Sequence, residues 1–323
     1  MRARSKSQGL RTAVVVCAAA SFAFCGVLTF AQESSAPQTQ SADKNTPAVP
    51  NIPVMAADPT PALLETGFHR LYGLDFQGAR QEFHAYQKAR PSDPLGKAAE
   101  AASYLFEEFN VKGVLSSDFF LNDDKLLNGL GGNPADNANP AFVSANTQAR
   151  AIAKQQLKAD PSNTNAMLVL TMTDGMESDY DQVILRKQIP AVSLTRQAET
   201  EAGKLLAVDP SAKDAYVALG AGHYIIGCLP AYKRAFLWFG GIHGDRERGL
   251  QEMQTAASQG HYLRPFAKIL LALAYRREHQ PDRARVLLAE LTQQFPTNPR
   301  FAYELSLLHP PNADPDKQHQ CCE

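Results

Sequence analysis

One spacing recurs four times along the chain and constrains its fold more than any other feature. A small residue is followed four positions later by a second apolar residue and eight positions after that by proline. The four instances are Ala79-Phe83-Pro91, Ala149-Ala153-Pro161, Ala198-Ala202-Pro210 and Ala284-Leu288-Pro296. A small residue lets two helices approach closely, an apolar residue one turn later fills the groove between them, and proline cannot continue a helix. The spacing therefore predicts repeated helix pairs, each closed by a proline.

The segments before and after these prolines also fit one repeated unit. The residues that match its first helix are Tyr216, Leu219 and Gly220 in one segment and Leu271, Ala272 and Tyr275 in another. Together these features resemble the tetratricopeptide repeat, a helix–turn–helix unit of about 34 residues. The resemblance covers roughly residues 61–308 and implies an all-α fold, a right-handed α-solenoid of about five or six irregular helix pairs.

The stop prolines lie farther apart than one repeat, so we expect insertions between the clear units. Residues of about 111–142 contain the Gly- and Asn-rich run 128–134 and are predicted to form a loop, with a short helix at Asp118 to Leu127. The repeat near residues 244–263 lacks its proline. Its second helix is expected to pack through Gly249, Met253 and Ala256.

A second irregular segment joins helices after residue 225. It begins with an apolar Leu-Pro stretch and reaches the phrase Gly-Asp-Arg-Glu-Arg-Gly-Leu at residues 244–250. The segment Leu229–Leu250 is similar to one that joins helices in the tetratricopeptide-39 and inclusion-body-clearance family. The chain also resembles exported bacterial tetratricopeptide proteins. Members of the eukaryotic family are not exported, so their cellular roles are not carried over.

The N-terminus has the pattern of an export signal. Four basic residues and no acid precede an uncharged apolar stretch from Thr12 to Leu28, and small residues at Thr29 and Ala31 suit a signal peptidase. We expect a signal peptide over residues 1–31, cleaved after Ala31, and a location in the periplasm or cell envelope. The alternative is a retained anchor helix, although about 17 residues is short for a membrane span.

Composition divides the rest of the chain into three parts. Residues 32–59 are rich in Ser, Thr, Gln and Pro and are predicted to be a disordered linker. Residues 60–309 carry the helix-period apolar pattern and form the predicted repeat domain. Residues 310–323 have little hydrophobic content, so we expect a flexible C-terminal tail.

Charge and motif content argue against several classes of function. A formal net charge of −1, no long basic run and a single Trp disfavour a nucleic-acid partner. None of the eight His residues has the spacing of a metalloprotease, and Cys321, Cys322 and His319 supply too few ligands in a fixed geometry. We therefore predict no metal, no cofactor and no catalytic residue, and we expect His223 to have a core or groove role.

First helices line the concave side of tetratricopeptide repeats, so the resemblance implies a partner-binding surface there. Aromatic, methionine and arginine side chains are enriched where proteins dock, and we predict a protein or peptide partner. The predicted residues are Phe68, Tyr72, Phe106, Met172, Met176, Tyr224, Arg276, Arg277 and Tyr303. In the alternative interpretation, several of them pack only against neighbouring helices.

Two other hypotheses remain open. The apolar segment 229–239 carries Phe236 and Trp238 beside Lys233 and Arg234, which fits contact with a membrane surface. The same segment also fits a buried bridging helix. A third hypothesis is an envelope hydrolase with repeat architecture, for which the sequence offers no nucleophile with an associated base.

Overall fold

The computed structural model describes residues 60–130, 139–239 and 243–308, and within these residues the fold is all-α. The signal peptide, linker and tail predicted at residues 1–31, 32–59 and 310–323 lie outside the described residues. The helices are α1 (Thr60–Tyr72), α2 (Phe76–Ala89), α3 (Pro94–Val111), α4 (Ser117–Phe120), α5 (Asp123–Asn128), α6 (Pro140–Ala159), α7 (Thr164–Asp179), α8 (Gln188–Val208), α9 (Tyr216–Cys228), α10 (Ala231–Phe239), α11 (Arg246–Gln259), α12 (Arg264–Arg277), α13 (Pro281–Gln294) and α14 (Pro299–Ser306).

These helices pack as successive pairs. The pairs are α1–α2, α3–α6, α7–α8, α9–α11 and α12–α13. Helix α14 packs on α13 as the first helix of a sixth unit, for which the described residues contain no second helix. The prediction of an all-α solenoid with about five or six helix pairs is confirmed.

The recurring small residues lie where the paired helices meet. Ala79, Ala149, Ala153, Ala202 and Ala284 have no exposed surface. In the unit without a stop proline, α11 packs on α9 through Gly249, Met253 and Ala256, as the sequence predicts. The residues of the repeated spacing are therefore the contacts that hold each pair together.

The turn after α11 is closed by a buried carboxylate instead of by proline. Asp214 stands just before α9, and its side chain accepts hydrogen bonds from the backbone N–H groups of His261 (2.7 Å), Tyr262 (3.0 Å) and Leu263 (3.2 Å). Three donors that would otherwise be unsatisfied before α12 are thereby paired.

The predicted loop between α3 and α6 contains two short helices, α4 and α5, where the sequence suggested one. The helix is interrupted between them, because the side chain of Asn122 caps the start of α5 by accepting a hydrogen bond from Lys125 N at 3.0 Å. Phe119 of α4 is buried in an apolar cluster with Phe142 and Tyr180. The insertion is therefore packed against the repeats through α4.

The first repeat contacts the last. The Tyr72 hydroxyl donates to the carbonyl oxygen of Tyr262 at 3.1 Å, and the Asn298 side-chain amide donates to the carbonyl oxygen of Tyr72 at 2.9 Å. The Thr297 hydroxyl donates to Gly73 O at 3.1 Å. One apolar cluster consequently includes residues from α1 to α14.

Candidate functional site

The first helices α1, α3, α7, α9 and α12 share a side that we call the inner face, and the predicted partner residues lie largely on it. Four of the predicted residues are buried in the main apolar cluster: Phe68, Tyr72, Met172 and Tyr224. Four others are partly buried: Phe106, Met176, Arg276 and Arg277. Phe68 and Tyr72 are each only 3% exposed. Their role in binding a partner stays a prediction, and in this structure they have almost no surface through which to act.

Aromatic side chains close the inner face. Phe68 of α1 stacks on Tyr262 with ring centroids 5.0 Å apart, and Phe106 of α3 meets Phe266 of α12 edge to face at 5.2 Å. Burial raises the pKa of the Tyr72 hydroxyl well above its ordinary value. Burying a large apolar side chain contributes about 1.5–3 kcal/mol. The open groove expected from the resemblance is therefore filled by the chain's own side chains.

Tyr303, the ninth predicted partner residue, is not on the inner face. It is 62% exposed, whereas Phe301 and Glu304 are the buried residues of α14. Two positions along an α-helix turn the side chain by about 200°, so Tyr303 and Phe301 point in nearly opposite directions. The described residues contain no second helix to cover the side of α14 that Tyr303 occupies.

Among the described residues, at least two small cavities lie on the inner face. The first has a volume of about 40 Å³ and is lined by Tyr72, Phe106 and Arg276, and the second, of about 20 Å³, is lined by Tyr224 and Arg277. Five of the nine predicted residues thus border these cavities. Ligand pockets commonly measure about 300–1,000 Å³, so each cavity holds a few water molecules at most unless the inner face opens.

The insertion occupies the inner face through its main chain. Arg277 Nη1 donates to the carbonyl oxygen of Phe120 at 2.9 Å, and Glu304 Oε1 accepts from Ser117 N at 3.1 Å. Glu304 also forms an ion pair with Arg276. The Phe120 side chain lines the second cavity. Two arginines predicted to contact a partner therefore belong to a network that binds helix α4.

Sequence reasoning missed three members of this site. Glu304 accepts a hydrogen bond from the main chain of the insertion and forms an ion pair with Arg276. Tyr262 and Phe266 fill the inner face. The signal for Glu304 was its spacing of three residues from Phe301, which puts both on one side of α14. Tyr262 and Phe266 gave no such signal, because their contacts come from α1 and α3, far away in the sequence.

His223 lies in a charged cluster between second and first helices. Its Nδ1 is 2.6 Å from Glu252 Oε2, and Glu252 also accepts from Arg248 Nε at 2.9 Å. Burial raises the pKa of the neighbouring Glu199 carboxyl, an effect that the charge of His223 opposes. The cluster joins α8, α9 and α11, which agrees with the expected packing role of His223. Within the described residues no group of three or more potential ligands is placed to hold a metal ion.

Helix α10 lies apart from the inner face. Tyr232 is 72% and Trp238 is 59% exposed, so these two aromatic residues are not part of a buried bridging helix. Among the described helices, none packs extensively against α10. No helix of the described residues is both long enough and apolar enough to cross a membrane.

The helix pairs define the class of the protein, a tetratricopeptide-type α-solenoid with a closed inner face. No family model matches the chain, and no curated protein matches it either. The similarity of Leu229–Leu250 to the tetratricopeptide-39 family is therefore not confirmed. Among solved structures, a thermophilic tetratricopeptide-repeat protein of Thermus thermophilus is 15% identical and has a TM-score of 0.42. The match covers 77% of this chain and 98% of that one.

Proposed function

We propose that this chain is an exported, non-catalytic scaffold that binds a protein or peptide segment on its inner face. The repeat architecture supports the general role, because stacked helix pairs provide long surfaces for protein contacts. One observation carries the more specific proposal. Arg277 on α12 of the inner face and Glu304 on the adjacent α14 already bind the main chain of a segment, helix α4.

Main-chain recognition of this kind suits a peptide ligand. A carbonyl oxygen and an N–H group are present in every peptide, and hydrogen bonds to charged side chains contribute about 1.5–3 kcal/mol. Phe120 of the same segment also lines the neighbouring cavity, beside Tyr224 and Arg277. A partner segment with an aromatic residue would displace the insertion and use the same contacts.

A labelled peptide with the sequence of residues 114–128 tests this proposal by fluorescence anisotropy on the full chain. The wild-type protein is expected to bind it weakly, since its own insertion occupies the site. Phe120→Ala loosens that insertion and is expected to raise the affinity about tenfold, because the competent state is more populated.

Adding Arg277→Ala to the Phe120→Ala variant removes the main-chain contact and should lower the affinity about tenfold. The matched control is Arg196→Ala, which removes an exposed arginine from α8. Both substitutions are made in the Phe120→Ala variant, and equal peptide affinity of the two double variants would contradict binding at the inner face.

Export is tested by the mass of the chain recovered from the envelope fraction of an expressing bacterium. Cleavage after Ala31 leaves Gln32 as the first residue, which intact-mass spectrometry identifies directly. Recovery of the full-length chain in the membrane fraction would support the retained anchor helix. Recovery in the cytosol would rule out export.

A further inference from the structure

Helix α10 has a composition that the inner face does not explain. Its nine residues include four aromatic side chains, two cations and no acid. The helix leaves the repeat body abruptly, because Leu229 ends α9 in an extended conformation and Pro230 follows it. Two of the aromatic residues, Tyr232 and Trp238, are largely exposed, and an exposed apolar patch is typical of a site that contacts a partner or a membrane.

Three of the apolar residues of α10 whose exposure the structure describes lie on one arc. Tyr232, Ala235 and Trp238 follow at every third position, which places successive side chains about 60° apart around the helix. All three are exposed. Arg234 is also exposed and borders this arc, about 40° from Trp238 around the helix. In this structure Arg234 Nη1 donates to the carbonyl oxygen of Gly227 at 3.4 Å, while most of the side chain stays exposed. An apolar arc with a cation at its edge is the pattern of a helix that lies along an interface.

We propose that α10 docks on the surface of an anionic lipid bilayer, with Tyr232 and Trp238 at the level of the headgroups. Tyr and Trp are the residues enriched at membrane interfaces, because each combines an apolar ring with a polar group. Arg234 complements negative headgroups, and no acid occurs between residues 225 and 244. A helix of nine residues spans about 13 Å, so it lies on a bilayer and does not cross it.

The charges favour lipid over a second copy of the chain. A two-fold contact through α10 would bring the cations of one helix close to those of the other, and like charges repel. Anionic headgroups carry the opposite charge and contact the aromatic arc at the same time. This docking is independent of peptide binding at the inner face, and it uses no residue of that site.

The chain offers a direct probe, because Trp238 is its one tryptophan. We would record Trp emission of the full-length protein with vesicles of phosphatidylcholine, with and without phosphatidylglycerol. Docking of α10 predicts a blue shift with phosphatidylglycerol, and quenching when brominated phosphatidylcholine is included. The signal comes from α10 itself, so binding of vesicles by the apolar N-terminal segment does not imitate it.

Arg234→Glu changes the charge of the helix by two units without removing an aromatic residue. Each charge near an anionic surface changes the affinity about fivefold, so the variant is expected to bind phosphatidylglycerol vesicles roughly 25-fold more weakly. Lys158→Glu is the matched control, since it makes the same charge change at an exposed position in the last turn of α6. It should bind as the wild type does.

Three outcomes would overturn the proposal. The first is an unchanged Trp238 spectrum with either vesicle. The second is equal binding of the Arg234→Glu and Lys158→Glu variants. The third is a blue shift that grows with protein concentration in the absence of lipid, which would assign the aromatic arc to a second copy of the chain.

Discussion

Asp174 belongs to α7 and faces α6, where its carboxylate lies 2.7 Å from the Arg150 guanidinium. Its side chain is buried, and burial disfavours the charged form of a carboxyl group. Burial outweighs the attraction of Arg150 and raises the pKa of Asp174 to about 6, from an ordinary value of 3.8. The folded protein therefore binds a proton at this residue over a pH range in which the unfolded chain has lost it.

This shift predicts a specific pH dependence of stability. Between about pH 4 and pH 6 the folded state holds the extra proton, so the free energy of unfolding falls as the pH rises, by up to about 3 kcal/mol. Asp174→Asn does not titrate and should remove this contribution. Denaturant unfolding of both proteins at several pH values gives the difference. Parallel curves for the wild type and Asp174→Asn would contradict the raised pKa.

At the scale of the helix pair, close approach of two backbones sets the packing of α9 on α11. A Cβ atom at Gly220 would lie 2.7 Å from the backbone nitrogen of Met253 and 2.9 Å from the carbonyl oxygen of Gly249. Backbone atoms of a packed helix cannot move aside as the end of a side chain can. The glycine is therefore required by the neighbouring helix and not by a turn.

Gly220→Ala is expected to reduce the free energy of unfolding by about 1–3 kcal/mol, the usual effect of overpacking. Gly203→Ala is the control, because Gly203 lies in α8 and a Cβ there would have nothing within 4 Å. It should stabilise the protein by about 0.5–1 kcal/mol through helix propensity. Equal destabilisation by both substitutions in urea unfolding would show that helix contact is not the cause.

The turn between α11 and α12 depends on Asp214, which is almost completely buried. Asp214→Ala leaves three backbone N–H groups in a partly buried turn without their acceptor, and an unsatisfied buried donor costs about 1–3 kcal/mol. We expect a loss of several kcal/mol, measured by chemical unfolding. Asp209→Asn is the comparison, since Asp209 accepts from Ser211 N and Oγ in an exposed turn. A similar loss in both variants would contradict a special role for Asp214.

At the scale of the whole repeat domain, contacts between the ends change how it should unfold. Open repeat arrays fray from their terminal units, because each unit contacts only its neighbours. Here Asn298 of the last unit donates to Tyr72 O of the first, and His69 packs against Phe295 with ring centroids 5.1 Å apart. We expect the amides of α1 to be protected from hydrogen exchange as strongly as those of α12.

Asn298→Ala removes one of the contacts between the ends and should speed exchange in α1 about fivefold to tenfold, the effect of one buried hydrogen bond. Asn163→Ala is a matched control, because Asn163 caps α7 as Asn298 caps α14 but contacts neither end. Fast exchange of α1 in the wild-type protein, measured by mass spectrometry, would contradict the coupling of the two ends.

The sequence by itself determined the helix pairs and the residues that hold each pair together. The spacing of Ala79 and Phe83, repeated three more times, is a local pattern, and local patterns fix which side of a helix packs on its neighbour. The second helix without a stop proline was predicted for the same reason, from Gly249, Met253 and Ala256. These contacts join the two helices of one repeat, which lie near each other in the sequence even where an insertion separates them.

Only the tertiary structure decided what happens on the inner face and at α10. Phe106 meets Phe266, and Arg277 meets Phe120 O, across separations of about 160 residues that no short-range spacing encodes. Aromatic residues are common both in binding sites and in cores, since both bury apolar surface. Here the contact between the first and last repeats buries these side chains in the core. In α10 the sequence allowed a buried helix or an exposed one, and the absence of an extensive contact with another described helix leaves Tyr232 and Trp238 largely in solvent.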